Sequence, residues 1–217
     1  PFTRESKIVP IERFGVKLMS LGFLLEEGQA VLWRGPMVAG TVKQLLADVT
    51  LWAPVDRRRP ALDFDLAGMS HRASIGAEAY TLAMVMEDFI ADRRGLDYSI
   101  LGTDICTDVL AKGVAGRYPE VMIDPVSMDR RRRYLMQSKD RSLREVRIRP
   151  DLRSKVAFAR LNLMDETYPV ERDFDIIFCR NILIYFDKPT QAKVLGRLCD
   201  HLVPGGYLFL GHSESIV

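Results

Sequence analysis

Three segments of the sequence combine polar side chains with a spacing that suits a small-molecule site. The first is Met69–Tyr80, in which Gly76 would let a ligand approach the backbone and Glu78 would accept a hydrogen bond from a ligand ammonium group. The alternative is structural: Ser74 caps the following helix and Glu78 complements the helix dipole. Spacing alone does not separate these two interpretations.

The second segment is Thr103-Asp104, at the end of a predicted strand. A carboxylate in that position can accept hydrogen bonds from both hydroxyls of a ribose, because each of its oxygens is an acceptor. The structural alternative is an aspartate that caps a turn. Asp104 is therefore a candidate ligand-binding residue with an alternative still open.

The third segment is Phe174–Asp187, an apolar strand followed at once by Arg180, Asn181 and Tyr185. Polar groups directly after an apolar strand are what a site at the rim of a sheet needs. Asn162 follows another predicted strand in the same way. Alternatively, Arg180 pairs with a carboxylate and Tyr185 is a half-buried aromatic residue with a polar tip.

The elements that would position these residues alternate between strands and helices. This alternation predicts an α/β fold with a mostly parallel sheet. A long, basic stretch, residues 118–150, interrupts it, and we interpret that stretch as an inserted β-subdomain. The predicted strands are Ala61–Leu66, Tyr98–Thr103, Val156–Leu161, Phe174–Cys179 and Tyr207–Gly211, with a short one near Glu145–Arg149; the predicted helices are Ala77–Arg93, Thr107–Ala115 and Pro189–Leu202.

Composition excludes several classes of protein. An apolar fraction of 47% and a charged fraction of 28% are typical of soluble globular domains, and apolar runs are too short to span a bilayer, so we expect a cytoplasmic protein without membrane insertion. Cys106, Cys179 and Cys199 are far apart and form no CxxC pair, so neither a metal site nor a disulfide framework is predicted. The run Arg130–Arg133 lacks interleaved aromatics, so we expect no nucleic-acid partner.

Taken in order, five segments resemble the CheR family of chemoreceptor protein-glutamate O-methyltransferases over about residues 69–217. They are residues 73–84, 101–110, 162–163, 177–187 and 204–215; the most specific are Ile-Phe-Cys-Arg-Asn-Ile-Leu-Ile-Tyr-Phe-Asp (177–187) and Pro-Gly-Gly-Tyr-Leu-Phe-Leu-Gly-His-Ser-Glu-Ser (204–215). The resemblance implies a Rossmann-like methyltransferase domain, residues 61–217. It also implies S-adenosylmethionine as cofactor, S-adenosylhomocysteine as product, and cytoplasmic helices of methyl-accepting chemoreceptors as partners.

The same resemblance implies roles for individual residues. The reaction would be direct displacement of the sulfonium methyl group by a receptor glutamate carboxylate. By position, Arg180 and Tyr185 would be the catalytic residues, with Tyr185 near the transferred methyl group. The implied cofactor-binding residues are Ser74 and Gly76 in the cofactor loop, Glu78 at the methionine part, Asp104 at the ribose, Asn162 and Leu163 at the adenine, and Arg180 and Asn181 along the pocket.

The sequence departs from the family pattern in three places. The cofactor loop usually begins Trp-Ser-Ala-Gly, whereas this chain has His71 and Arg72 after Met69-Ser70. No Thr-x-Phe-Phe-Arg stretch precedes the methyltransferase-like region. The chain also stops just after the last predicted strand, where the family continues into a closing strand pair, so we expect an exposed sheet edge there.

The amino-terminal segment, about residues 1–53, resembles the Mrp branch of ParA-type ATPases, which handle iron–sulfur clusters. The resemblance rests on residues 14–27 and 31–40. A GxxxxGK[ST] loop and a CxxC pair are both absent from the sequence, so residues 1–54 are predicted to be an ATPase fragment without ATPase chemistry. Two alternatives to methyl transfer follow: a chimeric or truncated α/β protein whose amino-terminal segment completes a sheet without catalysis, and an Mrp-like nucleotide-binding iron–sulfur carrier fragment.

Overall fold

The structure is a computed structural model. It describes residues 3–4, 7–8, 11–13, 15–20, 60–64, 76–91, 95–124, 126–180 and 182–210. The strands are β1 (Thr3–Arg4), β2 (Lys7–Ile8), β3 (Ile11–Arg13), β4 (Val16–Ser20), β5 (Pro60–Phe64), β6 (Ser99–Asp104), β7 (Arg117–Pro119), β8 (Leu135–Gln137), β9 (Glu145–Ile148), β10 (Val156–Arg160), β11 (Phe174–Cys179) and β12 (Leu202–Leu210). The α-helices are α1 (Ala77–Ile90), α2 (Thr107–Ala115), α3 (Met128–Tyr134), α4 (Pro150–Arg153) and α5 (Lys188–Cys199), and 3-10 helices cover Glu120–Ile123, Arg141–Leu143 and Leu183–Tyr185.

A seven-stranded sheet forms the centre of the described structure. Its strand order is β10-β6-β5-β11-β12-β4-β3. All neighbours from β10 to β4 are parallel, and β3 is antiparallel to β4. The carboxyl ends of six strands therefore lie along one edge, where α/β proteins bind their ligands. The predicted α/β class with a mostly parallel sheet is confirmed.

Side chains alternate between the two faces of this sheet, as the pleat requires. Phe178 and Phe209 stack with their ring centroids 4.8 Å apart on the face that carries α1, which we call the α1 face. Ile177 and Leu208 are completely buried on the other side, together with Leu198 of α5, and we call this side the α5 face. Both faces are covered, which explains why the central strands are apolar runs rather than alternating ones.

The helices follow the sequence closely, with corrections at two carboxyl ends. α1 begins at Ala77 and α2 covers Thr107–Ala115, both as predicted, but α1 ends at Ile90 and not at the predicted Arg93. At the start of α5 the Asp187 side chain accepts a hydrogen bond from the Thr190 N–H at 2.9 Å, and Pro189 lies in the first turn. The prediction that this helix continues to Leu202 is wrong: it ends at Cys199, because Leu202 already pairs with β11.

The last described strand is longer than predicted. Pro204-Gly205-Gly206 is a sequence typical of a turn, which places the start of the predicted strand at Tyr207, but β12 begins at Leu202. The pairing with β11 changes from Phe174–Leu202 to Ile176–Tyr207, so the intervening residues form a bulge. Gly205 lies in this bulge with a φ of 78°, which glycine adopts at little cost.

The amino-terminal segment joins the central sheet. β4 is parallel to β12, with Tyr207 opposite Lys17 and Leu208 opposite Leu18, and the Gly205 N–H donates to the Gly15 carbonyl at 3.1 Å. The expectation of an exposed edge beside the last strand is therefore wrong, because the backbone groups of β12 are paired on both sides. The sequence also contains an apolar run at residues 30–33 and predicts a helix at about residues 37–49, and both lie outside the described residues.

The stretch predicted as an insertion contains a separate three-stranded antiparallel sheet, ordered β7-β9-β8. One of its faces is buried against α1, since Tyr118, Val146 and Ile148 share a hydrophobic cluster with Tyr80. The basic run in α3 reaches α1 as well: Arg130 Nε and Arg133 Nη1 donate to Asp88 at 2.7 and 2.8 Å. The small sheet is thus anchored to the helix that starts beside the candidate site.

Within the described ranges, the search for a helix both long and apolar enough to cross a membrane finds none.

Candidate active site

The candidate site lies at the carboxyl edge of the sheet, where β5 is flanked by β6 and β11. β6 ends at Asp104, and β11 ends just before Arg180. Because the strands are parallel, these two side chains lie at the same edge on either side of β5. The amino end of α1, with Glu78 in its first turn, also belongs to this edge.

Glu78 and Arg180 are brought together by the fold. Nη1 of Arg180 lies 3.6 Å from Oε1 of Glu78, and the exposed fractions of the two side chains are 8% and 33%. Nε and Nη1 of Arg180 are buried and make no hydrogen bond to a described residue. A buried guanidinium with unused donors is costly unless another group accepts from it, so this pair has the capacity to bind a further anionic group.

Asp104 is buried at the end of β6, with 4% of its surface exposed. Its Oδ1 accepts a hydrogen bond from the Cys106 N–H at 2.7 Å, which is the turn-capping interaction given above as the structural alternative. That bond orients the carboxylate without excluding further donors, since a carboxylate has about four acceptor positions. The role of Asp104 toward a ribose stays a prediction.

Asn162 lies beside Asp104, because the Leu161 N–H donates to the Asp104 carbonyl at 3.0 Å. The Asn162 amide is engaged in its own turn: Oδ1 accepts from the Met164 N–H and Nδ2 donates to Asp165, both at 3.0 Å. Leu163 is buried, and its carbonyl accepts the Tyr168 hydroxyl at 2.9 Å. The side chain of Leu163 packs in the cluster of the α5 face.

Tyr185 is exposed to 53% in the 3-10 helix that follows β11. Its neighbour Ile184 is exposed to 48%, and two further exposed apolar side chains lie in the turns after the strands; none of the three was predicted as part of the site. Ile105 directly follows Asp104, and Met164 lies two residues after Asn162. The sequence signal that could have found these three residues is an apolar residue in an otherwise polar turn after β6, β10 and β11.

The position of Gly76 leaves no room for a side chain, which its sequence context did not reveal. It precedes α1 with a φ of 67° and without a side-chain cap. A Cβ at this position would lie 2.9 Å from the Gly113 Cα and 3.0 Å from the Phe158 ring. The glycine is therefore needed for packing inside the protein, whatever ligand approaches it. Ser74, His71, Arg72 and Asn181 lie outside the described residues.

In the part of the chain that the structure describes, no group of three or more histidine, cysteine or acidic side chains is placed to hold a metal ion. Tyr80, in α1, has a clearly shifted pKa. Burial raises the pKa of Tyr80 to about 12, and its hydroxyl donates to the Gly113 carbonyl at 2.9 Å.

Comparison with known families decides the assignment. Residues 66–217 match the family model described as CheR methyltransferase, SAM binding domain. The chain belongs to this family. The resemblance predicted from the sequence is thereby confirmed. Strands β6, β10, β11 and β12 of the central sheet lie within this matched domain, which has the predicted Rossmann-like fold.

Curated relatives of this CheR chain include chemotaxis protein methyltransferases. Those of Klebsiella aerogenes and Escherichia coli strain K12 are each 39% identical over 146 residues, 67% of this chain and 50% and 51% of the relatives. Chemotaxis protein methyltransferase 2 of Pseudomonas aeruginosa is 33% identical over 173 residues, 80% of this chain and 59% of the relative. The chain thus spans about half the length of these two enterobacterial relatives.

The amino-terminal segment of this CheR chain has another relationship. Residues 1–57 match a ParA-family model described as NUBPL iron-transfer P-loop NTPase, which confirms the second predicted resemblance. Among solved structures, the glycopeptide N-methyltransferase MtfA in complex with sinefungin covers 90% of this chain and 55% of its own, with 14% identity and a TM-score of 0.46. The family assignment does not depend on that distant similarity.

Proposed function

We propose that this chain binds S-adenosylmethionine at the carboxyl edge of its sheet and transfers the methyl group to glutamate side chains of chemoreceptors. The observation that carries the proposal is the Glu78–Arg180 pair, at the expected edge of a sheet that belongs to the CheR family. The curated relatives named chemotaxis protein methyltransferase support the choice of a receptor as substrate. The cytoplasmic helices of these receptors, and hence a cytoplasmic location, are part of the proposal.

The described residues fit the charges of this cofactor. Its methionine part carries a carboxylate and an ammonium group. The unused donors of Arg180 suit the carboxylate, and the partly exposed carboxylate of Glu78 suits the ammonium group. A ligand with both charges would complete a pair that is 3.6 Å apart, too far for a direct hydrogen bond.

The other end of the cofactor would lie along β6 and β10. Asp104 would accept hydrogen bonds from the ribose hydroxyls while keeping its bond to Cys106. Asn162 and Leu163 would border the adenine, and exposed Ile105 offers an apolar surface beside them. Ser74 and Gly76 in the cofactor loop, and Asn181 after β11, complete the proposed binding residues.

The chemistry asks for little acid–base help. The bound cofactor would supply an electrophilic methyl group, and a glutamate carboxylate is already ionised at neutral pH. The residues of this chain would align the two reactants and exclude water, which is where most of the rate enhancement of such a displacement arises. Tyr185, exposed at the rim, would contact the incoming glutamate near the methyl group, and Arg180 would hold the cofactor in line.

Calorimetric titration of the full chain with S-adenosylhomocysteine tests the cofactor site. We expect saturable binding that Asp104→Asn weakens by about tenfold or more, since hydrogen bonds to a charged group are lost while an oxygen remains for Cys106. Asp151→Asn is the matched control, because Asp151 is exposed and lies before β10, at the opposite edge of the sheet. A folded chain that shows no binding heat at two temperatures refutes the site.

A second assay tests turnover. The chain is incubated with methyl-labelled cofactor and a receptor cytoplasmic fragment, and alkaline release of labelled methanol reports carboxyl methyl esters. We expect release that depends on the receptor glutamates. The pairing of β4 with β12 also supports the alternative of a sheet completed without catalysis. Binding of S-adenosylhomocysteine without methanol release would favour that alternative.

A further inference from the structure

The partly buried ring of Phe158, on β10, packs against three glycines from three different elements. These are Gly76 before α1, Gly102 in β6 and Gly113 in α2. A Cβ added to Gly102 or Gly113 would lie 2.8 Å from Cε1 of the ring, and one added to Gly76 would lie 3.0 Å from the same atom. The same edge of one ring therefore contacts all three backbones, closer than any side chain would allow.

A second contact strengthens this arrangement. The rings of Tyr80 and Phe158 meet edge to face with their centroids 5.8 Å apart. The Tyr80 hydroxyl donates to the Gly113 carbonyl at 2.9 Å, which ties α1 to α2. The partly buried ring of Phe158 thus packs against α1, α2 and β6 at once, so a change in the volume of the ring is felt by all three elements.

Two of these three glycines are close in sequence to proposed cofactor ligands. Gly76 precedes Glu78 by two residues, and Gly102 precedes Asp104 by two. Phe158 itself is on the strand that leads to Asn162. The ring contacts the backbones that carry the residues proposed for both ends of the cofactor.

We propose that Phe158 is a positioning residue that sets the distance between Glu78 and Asp104. This inference rests on the proposed function, because it concerns the same cofactor. The ring fills the space that Cβ atoms would occupy at the three glycines. Its volume therefore sets the distance between α1 and β6, and a ligand that contacts both elements requires that distance. Phe158 acts through Glu78 and Asp104 and need not touch the ligand.

The test alters the packing of the ring against Gly113 by changing each of these two residues in turn. Phe158→Leu removes Cε1 and Cζ of the ring, while Gly113→Ala adds a methyl group 2.8 Å from both atoms. Alanine suits the helical position of Gly113, so this variant retains its local conformation. In the double variant the added methyl occupies the space that the ring vacates. Gly196→Ala is the matched control, since this helical glycine in α5 has no neighbouring atom within 4 Å of an added Cβ.

Two ligands separate positioning from general damage. S-adenosylhomocysteine would use both Glu78 and Asp104, whereas adenosine would use the Asp104 end alone. We expect each single variant to lower the affinity for S-adenosylhomocysteine by about tenfold and to leave the affinity for adenosine nearly unchanged. The reason is that a wrong distance between Glu78 and Asp104 affects only the ligand that contacts both residues. The double variant should regain part of the affinity, and Gly196→Ala should match the parent chain.

The outcomes are distinguishable. If the parent chain does not bind S-adenosylhomocysteine, the proposed function fails. If the parent binds and the single variants bind equally well, the positioning role is refuted. Equal weakening of both ligands, or no recovery in the double variant, would reduce Phe158 to a packing residue and also refutes the proposal. Circular dichroism confirms folding, and whichever single variant folds suffices to decide.

Discussion

The two faces of the central sheet differ in how much hydrogen bonding accompanies their apolar packing. The α5 face is filled mainly by aliphatic side chains such as Val194, Leu198 and Leu208, each completely buried, and its buried tyrosine, Tyr168, donates to the Leu163 carbonyl within the same cluster. On the α1 face, buried tyrosines carry hydroxyls that donate to named acceptors: Tyr80 to Gly113 and Tyr98 to the Ala83 carbonyl. Aliphatic burial supplies stability without direction, whereas hydrogen bonds orient what they join. The face that carries the helix of Glu78 has more of these directional contacts, and one of them joins α1 to α2.

This comparison predicts the largest loss of stability on the α5 face. Leu198→Ala should lower the free energy of unfolding by about 2–5 kcal/mol, because a fully buried side chain is lost and a cavity remains. Urea denaturation measures the loss, and Leu143→Ala, at a position exposed to 54%, is the control with little expected effect. Affinity for S-adenosylhomocysteine should stay the same, and a parallel fall in affinity would contradict the division between faces.

Asp88 tests the α1 face, where the three-stranded sheet is anchored. Its carboxylate accepts from Arg130, Arg133 and the Tyr134 hydroxyl, all within 2.9 Å. Asp88→Ala should lower the free energy of unfolding by about 1–3 kcal/mol, because three donors lose a charged acceptor. The loss is limited because Arg133 stays partly hydrated. Unlike Leu198→Ala, Asp88→Ala should also lower cofactor affinity, because α1 carries Glu78.

The control for Asp88 is Asp124→Ala. This carboxylate is 74% exposed and lies 3.7 Å from Arg131, a surface pair of little expected worth. Thermal and urea unfolding should place the Asp124 variant within about 0.5 kcal/mol of the parent chain. Equal losses of stability for both variants would show that the three hydrogen bonds to Asp88 contribute no more than a surface ion pair.

Local patterns explain what the sequence could predict. α2 was predicted with its correct ends because its start and its Gly116 C-cap are encoded by neighbouring residues. The end of α5 and the start of β12 were missed because Leu202 becomes a strand residue only through pairing with Phe174. Likewise, no local signal could join β4 to β12, whose hydrogen-bonded side chains Lys17 and Tyr207 are separated by 190 positions.

The site divides in the same way. Asp104 and Arg180 were recognisable as polar residues after apolar strands, and the structure places both at the carboxyl edge. The packing of Phe158 against three glycines could not be recognised from the sequence, because these glycines become neighbours only in the folded chain. Sequence periodicity reports which elements form, and pairwise packing between elements lies beyond it.

Alkaline pH provides a third test, again on the α1 face. Burial raises the pKa of Tyr80 to about 12 from a usual value near 10, so the folded state keeps a proton that the unfolded state loses. The resulting stabilisation is complete below about pH 10 and is lost as pH rises toward 12. Tyr80→Phe should cost about 1 kcal/mol at pH 8, where it removes one hydrogen bond.

The difference between parent and Tyr80→Phe should then shrink between pH 10 and 12, because the phenylalanine variant lacks that titration. Urea denaturation at pH 8, 10 and 11 measures it. Other tyrosines titrate in both proteins and cancel in the difference. A gap that stays constant over this range would mean that the Tyr80 hydroxyl is not protected by burial.

The smallest expected effect concerns the seam between the amino-terminal strand and the CheR sheet. The Lys17 ammonium donates to the Tyr207 hydroxyl at 2.9 Å and lies 5.2 Å from the centre of its ring. Lys17→Met keeps much of the apolar stem but loses both interactions, so we expect a loss of about 0.5–1 kcal/mol in urea denaturation. Lys139→Met, at an exposed position in the loop between β8 and β9, is the control. An unchanged Lys17 variant would leave the parallel backbone pairing of β4 with β12 as the main attachment of this strand, since the side-chain contacts would then contribute nothing measurable.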